Sequence, residues 1–258
     1  MPITRTEEAT MNWLNNLRAD RRRRASIYRD ALADLPPGLE AAWRRSASTA
    51  FPGIPTDALF FVRATEGLLG FFHAVSASGA RCALPSLAAD SVWHAWLEHD
   101  PIGLERFCRR HFGSTVPHLE AAQLERGALA TSLVACRGLE QIPLPGPALP
   151  SLFSLDAKLC MPGGHGYWVQ HGEVAYARLD GNGRRLGTPQ RQPGLSLPAL
   201  LAAGLITEQV HAEALRRQQD SGGSDGGPSG SGNGGSDCGD GGGGCGCGGG
   251  GGCGGGGD

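Results

Sequence analysis

Apolar residues recur at helical spacing through much of the first 140 residues. Near the N-terminus the spacing predicts one amphipathic helix that ends before Pro36–Pro37, with an apolar face made of Trp13, Leu14, Leu17, Ile27, Tyr28, Ala31 and Leu32. Residues 57–73 are apolar on most sides, which predicts a buried helix. His73 at the end of this stretch is interpreted as a hydrogen-bonded core or boundary histidine rather than as a ligand.

Residues 86–113 predict two short helices joined at Pro101. Ser86 suits the N-cap of the first helix, whose buried stripe consists of Ala89, Val92, Trp93, Trp96 and Leu97. Asp100 and Pro101 suit the N-cap and first position of the second helix. One face of that helix carries Leu104, Phe107, Cys108 and His111, and Phe112–Gly113 ends it. We expect the two helices to fold back on each other.

The pattern changes after residue 139. Five prolines within residues 139–163 predict an extended connector. Residues 167–170 and 173–179 flank a turn at His171–Gly172 and predict an antiparallel β-hairpin, which a turn at residues 180–183 closes. Residues 197–203 and 207–219, separated by Gly204, predict a short helical hairpin with Thr207 as an N-cap.

These elements predict a mainly α (α+β) protein, a helical globular body with a small antiparallel β-hairpin and a disordered C-terminal tail. The predicted units are a helical domain over 1–195 with a hairpin near 167–180, a helical hairpin over 196–219, and a Gly/Cys-rich tail over 220–258. Residues 221–258 hold 23 of the 42 glycines and no leucine, isoleucine, valine or aromatic residue. Such a segment has no apolar side chains whose burial could offset the entropy of ordering its backbone.

Charge argues against a dedicated nucleic-acid binder. The formal net charge of the chain is −2, and residues 221–258 contribute four aspartates without any basic residue. The remaining body is thus only slightly basic, unlike a nucleic-acid-binding domain. The run Arg21 to Arg24 is a candidate contact for RNA or an acidic membrane, but we favour a solvated helix face. The expected partners are proteins of unknown identity, and the oligomeric state stays open.

Other features favour a cytoplasmic location. Glu7 and Glu8 stand where a signal peptide would be basic, and no apolar segment follows them. The longest apolar stretches, 58–62 and 67–72, are short for a membrane span. The body cysteines, Cys82, Cys108, Cys136 and Cys160, are far apart and show no disulfide framework.

The helix pair contains the most distinctive chemistry. His94 lies at the edge of the buried stripe, with Asp90 four residues before it and Glu98 four residues after it. If the two helices fold back, His94, Cys108, His111 and His118 would share one neighbourhood. Such a group could bind zinc or iron, with Asp90 orienting a histidine from the second shell. Ordinary packing at a helix boundary explains the same residues, and we favour it at this stage.

Motifs of common enzymes are absent from the sequence. It contains no Gly-x-Ser-x-Gly elbow, phosphate loop, His-Glu-x-x-His or Gly-x-Gly-x-x-Gly after a strand. Catalysis is therefore not indicated, and no cofactor other than a candidate zinc ion is expected.

The tail contains four cysteines, Cys238, Cys245, Cys247 and Cys253. They suit a flexible thiolate chelator or a redox tail, or they are incidental to a low-complexity extension.

A group of residues in 57–118, a quarter of the chain, resembles the glycine-rich domain-containing protein-like family of plants and bacteria. The resemblance rests on Leu84-Pro85-Ser86, Asp90, Trp93-His94, Phe107-Cys108, His111-Phe112-Gly113 and His118. The chain departs from that family at Ala89, usually valine, at Leu104, often tyrosine, and at Pro117–His118, which replaces a His-His doublet.

Plant members of that family are linked to stress and developmental responses, and the resemblance brings no established catalytic activity. We therefore expect a non-enzymatic helical interaction or scaffold module with a low-complexity tail. The alternative is a zinc- or iron-binding protein that uses the His/Cys cluster at 90–118.

Overall fold

The structure, a computed structural model, describes residues 5–119, 127–144, 148–170 and 172–221. The predicted tail lies outside these residues from position 222 onward. Within the described ranges the chain forms ten α-helices and one three-stranded antiparallel sheet, which confirms the mainly α fold class. The helices are α1 Arg5–Ala25, α2 Arg29–Ala33, α3 Leu39–Ala50, α4 Ala58–Ser78, α5 Leu87–His99, α6 Pro101–Phe112, α7 Ala128–Leu139, α8 Leu155–Lys158, α9 Leu197–Ala202 and α10 Glu208–Ser221.

The N-terminal prediction of a single helix is wrong. The chain turns at Ser26, whose hydroxyl accepts a hydrogen bond from the Tyr28 backbone N–H at 3.1 Å, and α2 then starts in a new direction. Trp13 is 59% exposed and Ile27 is 86% exposed, so neither belongs to a buried face. The small, fully buried Ala19 packs inward instead.

Helix α4 is the central element of the main core. Asp57 caps it by accepting hydrogen bonds from the N–H groups of Leu59 and Phe60, and the helix packs against α1, α5 and α7. The apolar stretches 58–62 and 67–72, each short for a membrane span, are both part of this one helix. By length and composition alone α4 could cross a bilayer, yet 61% of its most apolar window is buried inside the protein. Buried core helices of globular proteins can have the same length and apolar composition.

The predicted α5–α6 pair is confirmed together with its caps. The Ser86 hydroxyl accepts from Ala89 N–H at 3.2 Å, and the Asp100 carboxylate accepts from Gly103 N–H at 2.8 Å. Pro101 begins α6, and Gly113 ends it in the left-handed conformation that glycine favours. Helices α3 and α4 pack on α5 from other sides.

The segment predicted as an extended connector contains α8 and one fully buried carboxylate, Asp156. One carboxylate oxygen accepts hydrogen bonds from the Ser86 hydroxyl (2.6 Å) and Ala88 N–H (3.0 Å). The other oxygen accepts from Leu87 N–H (2.9 Å) and His165 N–H (2.8 Å). Asp156 thereby fixes the start of α5 to the first residue of the sheet.

The predicted hairpin is confirmed as β1 His165–Gln170 and β2 Glu173–Leu179, with Tyr167 opposite Tyr176. The turn residue His171 lies outside the described residues. A third strand, β3 Arg185–Arg191, pairs with β2 and was not predicted. All its residues are exposed and it contains Pro189, so the sequence shows no alternation of apolar and polar positions there.

The C-terminal helical hairpin is confirmed as α9 and α10. Gly204 between them has a positive φ of 69°, and the Thr207 hydroxyl accepts from Val210 N–H at 3.3 Å. Leu200 and Ala214 of this hairpin belong to a second apolar cluster that also includes residues of α7 and β2.

Candidate metal centre

Three potential ligands converge on one side of α5. Asp90 and His94 lie one turn apart on the helix, and His118 comes from the segment that follows α6. The Nε2 atoms of His94 and His118 are 3.0 Å apart. The Oδ1 atom of Asp90 lies 3.9 Å from His94 Nε2 and 3.7 Å from His118 Nε2. One donor atom from each side chain lies within 4.8 Å of the other two.

Packing around the group holds the three side chains in place. The cap of Ser86 and the carboxylate of Asp156 fix the start of α5, one turn before Asp90. The indole of Trp93 meets the ring of His118 edge to face, with centroids 4.6 Å apart. The Cys108 thiol interacts with the backbone of Val116, two residues before His118.

The group lies at the surface rather than in the core. The side chains of Asp90, His94 and His118 are 25%, 46% and 19% exposed. A cation bound by these three donors would therefore keep coordination positions that water or a small molecule can reach.

The distances are compatible with one small divalent cation. Zinc–nitrogen and zinc–oxygen bonds of about 2.0–2.1 Å in a tetrahedron place ligand atoms roughly 3.3 Å apart. The observed separations of 3.0, 3.7 and 3.9 Å bracket that value. Small side-chain rotations would close the group around an ion.

Two of the sequence-predicted ligands lie outside this group. Cys108 is 1% exposed, and burial raises the pKa of its thiol to about 11, so it stays a neutral thiol at physiological pH. The Nε2 atom of His111 lies 3.1 Å from the carboxylate of Asp34, and its ring lies 4.5 Å from that of Phe107. The structure therefore brings together His94, His118 and Asp90, and the Asp90 carboxylate is as close to the two imidazoles as a direct ligand would be.

The buried thiol of Cys108 predicts alkaline destabilisation. Its pKa is about 11 in the folded protein and 9.0 in the reference state, so only the folded state retains the proton between these values. The stabilising contribution is complete below about pH 9 and is lost as pH rises toward 11, by up to about 1.4 kcal/mol per pH unit. Urea unfolding at about pH 8, 9 and 10 should show a shallower decline for Cys108→Ala than for the wild type. Parallel curves for the two proteins would contradict this assignment.

A protein-family model described as UCP032817-like matches residues 56–185, half of the chain. The chain belongs to this family. The UCP032817-like region runs from just before α4 to the first residue of β3, and it contains Asp90, His94, His118 and Asp156. No curated protein and no solved structure matches the chain.

Proposed function

We propose that this protein binds a divalent transition-metal cation through Asp90, His94 and His118. The observation that carries the proposal is the convergence of the Asp90 carboxylate and the His94 imidazole of α5 with the His118 imidazole from the segment after α6. Two histidines and one carboxylate are the protein ligands of many zinc and non-haem iron centres. The alternative is ordinary packing at a helix boundary, in which the two imidazoles share a hydrogen bond and Asp90 has interactions of its own.

The donor set favours zinc or iron(II) over calcium and magnesium. Imidazole nitrogen suits the former pair, whereas the latter prefer oxygen ligands. With three protein donors on an exposed face, the cation would have open positions, so exogenous ligands can reach it.

Metal analysis of the full-length chain, purified without a histidine tag, tests the proposal. We expect close to one zinc or iron per chain in the wild type. The variants His94→Ala and His118→Ala should each lose the metal. Asp90→Asn should weaken binding by more than the roughly 10–100-fold that loss of an outer-shell partner causes.

Matched controls come from the same helix pair. His99→Ala removes the last histidine of α5, whose Nε2 lies 3.3 Å from the Pro37 carbonyl, and it should retain the metal. Cys108→Ala and His111→Ala should retain it as well. Cobalt(II) substitution separates this site from the tail cysteines, because thiolate ligands add a charge-transfer band that imidazole and carboxylate ligands lack. Wild-type metal content in both His94→Ala and His118→Ala would refute the assignment.

The narrower relation to the glycine-rich domain-containing protein-like family is also a proposal. It is supported by the position of its residues, including Trp93-His94 and His111-Phe112-Gly113, which all lie inside the matched range 56–185. The interaction or scaffold role stays a prediction. It would depend on surfaces such as the exposed apolar side chains of α1, where Trp13, Leu14 and Leu17 are 59%, 39% and 48% exposed.

A further inference from the structure

A cleft of about 750 Å³ lies between α1, α4, α7 and α8. Its volume is within the range of small-molecule sites. None of the three candidate metal ligands lines it, so it is a separate feature of the molecule.

Three basic side chains from three different helices line the cleft: Arg22, Arg63 and Lys158. Lys158 is the only lysine in the chain. Partial burial, followed by the like charge of Arg63, lowers the pKa of Lys158; the carboxylate of Glu140 opposes this shift, and Arg22 adds to it. The three cations line one cleft, so an anion placed there would be attracted to all of them.

Two carboxylates also line the cleft, and both have protein partners. Glu66 pairs with the guanidinium of Arg22. Glu140 accepts hydrogen bonds from the backbone N–H of Ser151, at 2.9 and 3.0 Å to its two oxygens, and from the Ser151 hydroxyl at 2.7 Å. Among the described lining residues, Arg22, Arg63 and Lys158 outnumber Glu66 and Glu140, so the cleft has one more cationic side chain than carboxylates.

The remaining wall has aromatic and apolar side chains together with the polar side chains of Ser26, His73 and Ser151. Tyr28 and Leu152 contribute side chains, and Gly70 of α4 leaves space beside Tyr28: a methyl group there would lie 3.7 Å from the phenol oxygen. Burial raises the pKa of Tyr28 to about 12, so the phenol stays protonated, and its oxygen lies 3.3 Å from Nδ1 of His73. The cleft therefore combines a cationic side with a surface suited to a ring or short alkyl group.

We propose that this cleft binds a small phosphorylated organic molecule. Its phosphate lies among Arg22, Arg63 and Lys158, and its apolar body lies against Tyr28 and Leu152. Guanidinium groups bind phosphate oxygens through paired hydrogen bonds, and an ammonium adds a point charge, which favours a doubly charged phosphate over a single carboxylate. This proposal is independent of the metal centre.

Isothermal titration of the full-length protein tests it with three probes: phenyl phosphate, inorganic phosphate and phenol. We expect saturable binding of phenyl phosphate, weaker binding of inorganic phosphate, and none of phenol. The variants Lys158→Gln and Arg63→Gln should each weaken phenyl phosphate binding about tenfold or more, because each removes a charge-assisted contact.

Two further variants serve as controls. Arg191→Gln removes a charge from the exposed strand β3 and should bind phenyl phosphate like the wild type. His94→Ala should do so too, which separates phosphate binding in the cleft from phosphate bound to a metal ion. Lack of saturation by phenyl phosphate, or unchanged affinity in Lys158→Gln, would overturn the proposal. If Arg63→Gln lowers the melting temperature of the protein, the phenyl phosphate affinity of Lys158→Gln decides the test, because Lys158 reaches solvent.

Discussion

Replacing Asp156 by asparagine should destabilise the protein by about 4 kcal/mol, although the substitution replaces a single heavy atom. Asp156 is fully buried, and its carboxylate accepts four hydrogen bonds. Hydrogen bonds to a buried charge contribute roughly 1.5–3 kcal/mol each, and removal of one partner from a buried ionic group typically costs about 3–5 kcal/mol.

Neither orientation of the asparagine amide can restore these contacts. Each carboxylate oxygen faces two donors: the hydroxyl of Ser86 and the N–H of Ala88 on one side, and the N–H groups of Leu87 and His165 on the other. The amide NH₂ must therefore point at two donors whichever way it turns, which leaves buried N–H groups without an acceptor. The N-terminus of α5 would also lose the negative charge of Asp156, which interacts favourably with the helix dipole.

Asp57→Asn is the matched control. Asp57 caps α4 with one oxygen only, Oδ1, which accepts from both Leu59 and Phe60 N–H. Asparagine retains such an oxygen and is about as good an N-cap as aspartate, so we expect a change within about 0.5 kcal/mol. Urea unfolding of the two variants measures the difference. Equal losses would mean that the four contacts of Asp156 do not stabilise the fold as argued.

Local signals predicted the elements that carry the candidate site. Ser86, Asp100, Pro101 and Gly113 each act on backbone groups within a few residues, and the structure has the caps where the sequence places them. Asp90 and His94 face the same side because one helical turn separates them. Likewise, Gly204 and Thr207 mark the turn between α9 and α10.

Features that depend on distant partners were not predictable in this way. Asp156 stands in a proline-rich stretch, and its partner Ser86 is 70 positions away. The pairing of His118 with His94 depends on how the segment after α6 returns to α5. Cys108 and His111 share a helical face with Leu104, but spacing alone does not show that this face turns Cys108 into the core and His111 toward Asp34.

Replacing Trp43 by alanine should cost about 4 kcal/mol, because this side chain joins three helices. Trp43 of α3 is fully buried. Its ring stacks on that of Phe60 in α4, with centroids 5.7 Å apart, and its centroid lies 5.3 Å from that of Phe61. Its indole N–H donates to the Ser91 hydroxyl of α5 at 3.0 Å. Truncation of a buried tryptophan leaves a cavity that rigid helices fill only in part, which typically costs about 3–5 kcal/mol.

Trp96 provides the comparison that separates packing from hydrogen bonding. It is also fully buried and packs on Phe107 at 4.7 Å, but within the described part of the chain its indole N–H has no hydrogen-bond acceptor. Trp43→Phe should therefore cost about 1 kcal/mol more than Trp96→Phe, since only the former removes a hydrogen bond. Urea unfolding measures both. Equal costs would show that the bond to Ser91 adds no measurable stability, and a loss below about 1 kcal/mol for Trp43→Ala would contradict the packing of α3 on α4 and α5.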